Sequence, residues 1–147
     1  MIPTIDTFLR ELARTLAQDT APRMPTTFEA SGLIRNAMLL GVVAEEFDRA
    51  AARRVEENAA LRRLFASAVD VIDASELRAR LHVASGTKDA SLRVSDLDIS
   101  NRTLRGLLIE LHAHVEQVPG EPARILEAAI WHELALSTER RRTSIGR

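Results

Sequence analysis

A chain of 147 residues with 20 basic against 21 acidic side chains carries a formal net charge of −1, too small a field to draw it to nucleic acid, an anionic membrane or a polyacidic partner. It is long enough to bury a core without staples, and its lack of cysteine excludes disulfides, thiolate metal centres and cysteine nucleophiles. With 3% aromatic residues, six glycines and much alanine, leucine and arginine, whose side chains lose little rotamer freedom in a helix, the expectation is one all-α domain.

Ile5, Phe8, Leu9, Leu12 and Leu16 recur at helical spacing and predict a first helix over about Thr4 to Gln18. Asp6, Arg10 and Glu11 interrupt any apolar core of a secretion signal, so the segment reads as the first helix of a cytoplasmic protein. Pro22 and Pro25 each remove a backbone donor and bias the preceding residue away from α, which ends it. Thr26 followed by Glu29 matches a capping box and opens a long second helix. Phe28, Leu33, Ile34, Ala37, Leu40, Ala44, Phe47, Ala51 and Val55 keep one face of it apolar to about Glu57. Its most apolar run, Ala37 to Ala44, is about 12 Å long at ~1.5 Å per residue, so no membrane span is expected.

Asn58 offers a break, after which Leu61, Leu64, Phe65, Ala68 and Ile72 resume the pattern as a third helix, either separate from the second or joined to it. Asp73 with Glu76 either recaps a shorter helix carrying Leu77 and Leu81, or the third helix continues to His82. Ser85 to about Asp96 lacks helical period and reads as a loop. From Ser95 to Val118 the pattern is cleanest: Leu97, Leu104, Leu111 and Val118 recur every seven residues, with Asn101, Leu108 and Val115 at the alternate seam positions. Pro119 and Gly120 close this helix, and Pro122 suits the first turn of the next, whose apolar face is Leu126, Ala129, Ile130 and Leu134 with Trp131 beside it. So short a connection predicts an antiparallel C-terminal hairpin. The whole reads as a single-domain bundle of five to six helices over residues 1–137, followed by a frayed basic tail over 138–147.

The seam suggests association. One buried asparagine in a heptad seam fixes register and partner number, so Leu97, Asn101, Leu104, Leu108, Leu111 and Val115 are the candidate interface, serving either packing within the chain or pairing between chains. Arg35 and Asn36 interrupt the most apolar part of the second helix. Asn36 there either ties the helix to a neighbouring backbone group or, with Arg35, contacts a ligand.

Catalytic signatures are absent from the sequence. There is no G-x-S-x-G, and Ser85-Gly86-Thr87-Lys88 lacks the second glycine and the strand of a phosphate loop, so Gly86 reads as a helix terminator. No E-x-x-H occurs; the pairs Glu110 with His114 and His112 with Glu116 point away from each other on a helix, and His132 falls nearer the level of Leu108 than of His114. No metal and no cofactor are expected. Asp70 and Asp73 read as a surface residue and a cap, and Glu45, Arg49 and Arg53 as a solvated stripe. The arginine clusters at 53–54, 62–63 and 140–142 lack interleaved aromatic residues for base stacking, so nucleic acid is not an expected partner.

Phe8-Leu9, Pro22, Phe28 and Arg35-Asn36-Ala37, then Leu61-Arg62-Arg63-Leu64 and the run to Ser85-Gly86 and Asp89, give the first half a pattern that resembles an uncharacterised bacterial family of small helical domains. Members are found beside or fused to aminoglycoside-phosphotransferase-like kinases and acyl-CoA dehydrogenases. The resemblance implies an accessory role near acyl-CoA metabolism and supplies no activity. The functional expectation is therefore a helical interaction or accessory module without catalysis, forming a homo-oligomer or docking on a protein partner. The alternative is a bundle that binds a small apolar or acyl ligand, with Arg35 and Asn36 at its polar end.

Overall fold

Proline, glycine and threonine punctuate the chain much as their backbone chemistry demands. In the computed structural model, which describes residues 3–143, five α-helices make up the fold and no strand occurs among the described residues. Helix α1 (Ile5–Arg14) loosens into a π turn at Thr15–Thr20 and a 3-10 turn at Ala21–Arg23, where Pro22 ends it. Helix α2 (Thr27–Ala68) opens on the predicted cap: Thr26 Oγ1 accepts the Glu29 N–H at 3.2 Å, and its hydroxyl donates to the Glu29 carboxylate at 2.9 Å.

The break that Asn58 offers is not taken: the second and third predicted helices are joined, and α2 runs on for 42 residues. Asparagine weakens a helix when its amide competes for local backbone groups. Here Asn58 is fully buried and its amide is engaged elsewhere, donating to Asp89 Oδ1 at 3.0 Å and to the Leu97 carbonyl at 3.4 Å.

Helix α3 (Ser75–Gly86) is separate, as the recapped alternative predicts, but Ala74 stands at its N-cap with no side-chain hydrogen bond. The Asp73 carboxylate lies instead 3.1 Å from His114 Nε2. The expected loop is shorter than its sequence suggests, because α3 reaches Gly86 and α4 (Val94–Val115) starts at Val94. Helix α5 (Glu121–Arg140) follows Gly120, whose φ of +112° lies where only glycine is unstrained. The end of the bundle expected at 137 falls inside α5. Ser137 is buried, Arg140 bonds to Glu133 at 2.7 Å and Arg141 to Glu57 at 2.8 Å, so specific partners hold the turn that was expected to fray. The remainder of the predicted tail, 144–147, lies outside the described residues.

By their contacts the residues group into two compact units: Met1–Ala50 with Arg142–Arg147, and Ala51–Arg141. The second holds a conventional core. Leu61, Leu64 and Phe65 of α2, Leu81 of α3, Leu104 to Val115 of α4 and Leu126 and Ile130 of α5 form one buried cluster. Each such side chain contributes about 1.5–3 kcal/mol on burial. The first unit differs: its buried apolar residues, among those described, are Ala21, Ala37, Ala44 and Ala50. No described helix is long and apolar enough to cross a membrane.

Candidate functional site

The heptad seam is spent inside the chain. Leu97, Asn101, Leu104, Leu108, Leu111 and Val115 are all at most 5% exposed, and most belong to the core cluster with α2 and α5. No free seam remains for an intermolecular helix, which corrects the candidate interface on α4. The spacing of a coiled coil and that of an ordinary bundle helix are the same over so few turns.

Asn101 sets register within the chain. Its amide donates to Asn58 Oδ1 at 2.9 Å and Glu57 Oε2 at 3.2 Å. Glu57, only 1% exposed, also accepts from Ser137 Oγ at 3.1 Å and from two Arg141 nitrogens at 2.9 and 2.8 Å. Burial pushes the Glu57 carboxyl upward, but the hydrogen bonds and charge of Arg141, with help from Ser137 and Arg105, outweigh it and hold the group below its ordinary value. Asp89 joins the same network: Arg62 Nη2 donates to it at 2.7 Å, Ser100 Oγ at 2.9 Å and Asn58 Nδ2 at 3.0 Å. The Arg62 hydrogen bond, above all, keeps the Asp89 carboxyl low against the opposing effect of burial. A network satisfied this fully fixes helix positions.

Arg35 and Asn36 do not face a core. Both are exposed, so the buried polar contact proposed for Asn36 is not formed, and neither lines the groove described below. Their surroundings are the notable feature. On α1, Ile5 is 56%, Phe8 59% and Leu12 38% exposed, along the very stripe that predicted the helix. On α2, Phe28, Leu39, Val43 and Phe47 follow one side, with Gly32 among them, while Ile34 and Met38 follow another. All six are exposed, Phe28 at 81%. A Cβ built on Gly32 meets nothing within 4 Å, so the glycine is a notch in an open apolar band.

In the second unit a groove of about 550 Å³ lies among Ala79, Val83, Ala84, Leu104 and Leu107. Three cations stand at it: Arg62, Arg80 and Lys88. Arg62 is committed to Asp89, and Arg80 to Glu110 at 2.5 and 2.8 Å, whereas no carboxylate partner of Lys88 occurs among the described residues.

The histidines part company, as their helical spacing predicts. His114 turns to Asp73, while the His112 ring meets Trp131 edge-on, with centroids 5.0 Å apart and planes at 85°. His112 Nε2 lies 3.6 Å from Glu116 Oε1, and α5 brings Glu127 to the same place. Glu127 went unnoticed in the sequence, although a hairpin turning at Gly120 sets it near the level of Ala113, beside His112. Compared with known protein families, with curated proteins and with solved structures, the chain matches none.

Proposed function

We propose that this protein is a non-catalytic helical interaction module that pairs with a second copy of itself through α1 and the N-terminal half of α2. The observation that carries the reading is the inverted burial of the first unit, which among its described residues hides four alanines and exposes nine large hydrophobic side chains. Summed over α1 and both sides of α2 their exposed area is on the order of 1,000 Å², of which one interface takes the part on a single side, beside the ~800 Å² per partner of a standard interface. The charges around the band are mixed, Asp6, Glu11 and Glu29 against Arg10, Arg14 and Arg35, which suits a copy of the same balanced surface better than an anionic membrane. A formal charge of −1 also leaves little repulsion between copies. An accessory role agrees with what the resemblance of the first two helices implies.

Sedimentation velocity tests it. At micromolar concentration the wild type is expected at twice its 16.3 kDa monomer mass, and Phe8→Glu with Leu39→Glu at the monomer mass with unchanged helical circular dichroism. A wild type that stays monomeric at high concentration overturns the proposal.

The groove beside Lys88 favours a second reading, an acyl chain with an anionic head, because its walls are apolar and its volume lies in the range of small-ligand sites. A fluorescent fatty-acyl carboxylate should then bind saturably and lose affinity in Lys88→Gln. Equal binding by that variant refutes the assignment.

A further inference from the structure

We infer that His112, Glu116 and Glu127 form a binding site for a divalent transition ion of the zinc type, clipping the end of α4 to the start of α5. One ligand atom from each side chain lies within 4.8 Å of the other two. One edge, His112 Nε2 to Glu116 Oε1 at 3.6 Å, is near the ~3.4 Å separation of two ligands on a tetrahedral ion with bonds of about 2.0–2.1 Å. A rotamer adjustment of the glutamates, both on flexible stems, closes the rest.

The imidazole supplies the independent observation. His112 Nε2 is out of contact with solvent and has no hydrogen-bond partner, an arrangement that buried polar atoms avoid unless something else completes them. The ring packs edge-on against Trp131, which restrains it before any ion arrives. Glu127 likewise has no ion pair among the described residues, which leaves its carboxylate available.

Donor chemistry narrows the ion. One imidazole nitrogen with two carboxylate oxygens suits zinc and its neighbours, and neutralises a double positive charge. Magnesium and calcium prefer all-oxygen shells, and a soft monovalent copper site would want sulfur. Three protein ligands leave a fourth position for water.

Trp131 is the chain's only tryptophan and touches the candidate ligand, so it reports on the site directly. Titrating the tag-free protein with cobalt(II) should quench its fluorescence stoichiometrically with micromolar affinity, and zinc(II) should compete the quenching away. Glu116→Gln and Glu127→Gln, which keep side-chain shape, should each weaken binding about tenfold or more with circular dichroism unchanged, while His114→Gln leaves it intact. Quenching that fails to saturate by millimolar cobalt(II), or that is unaltered in both glutamine variants, overturns the site.

Discussion

Asp89 has a low exposure and four donors aimed at it from three residues, and its chemistry sets how the protein meets acid. Its folded pKa is depressed, as is that of Glu57, so both carboxylates bind protons more weakly folded than unfolded. Their contribution is fully present above the unfolded carboxylate values and is lost as pH falls through the folded ones. Urea-denaturation stability should therefore be level from neutrality to about pH 5 and decline below about pH 4. Asp89→Asn leaves the Arg62 guanidinium, whose side chain is 11% exposed, without its counter-charge, at an expected cost of about 2–3 kcal/mol near neutrality. The acid decline should also be shallower in that variant. An Asp89→Asn protein as stable as wild type at neutral pH would show that the ion pair holds nothing in place. The sequence marks Asp89 as a loop residue and as part of the resemblance, not as an ion-pair partner; its partners come from α2 and α4, 27 and 11 positions away, and nothing local announces them.

At the scale of elements, local chemistry read the starts of helices well and their continuity less well. Thr26, Pro22 and Gly120 act within a turn of themselves, and each falls where the sequence placed it. Asn58 could be read either way because its partners, Asp89 and Leu97, lie over 30 residues away. The α4 seam was legible as a buried stripe but not as to which helix would fill it. Gly32 gives this scale its prediction. In an exposed helix interior glycine costs up to ~1 kcal/mol against alanine, and the added methyl has open space in the single chain. Gly32→Ala should therefore raise stability measured in the dilute monomer while weakening self-association, since the methyl enters the notch between Phe28 and Val43. Paired unfolding and sedimentation measurements separate the two; a variant that gains in both means that copies meet elsewhere.

For the molecule as a whole, composition alone was enough for an all-α fold, since alanine, leucine and arginine abundance, sparse glycine and absent cysteine act everywhere at once. It did not say what the first helix would pack on, because the same apolar stripe on α1 serves equally for a core or for an open face. Periodicity states that a side must be covered; it is silent on what covers it. Only the positions of Phe8, Phe28 and Leu39 in space distinguish the two. The alanine interior of the first unit carries a last implication, for abundance. Alanines bury too little surface to hold such helices by themselves, so under the pairing proposed above the amount of protein in the cell becomes a structural variable. Copies made in excess of the association threshold are shielded, whereas scarce ones present phenylalanine and leucine to chaperones and proteases. Expression level, rather than any ligand or modification, would then decide how long a newly made chain survives.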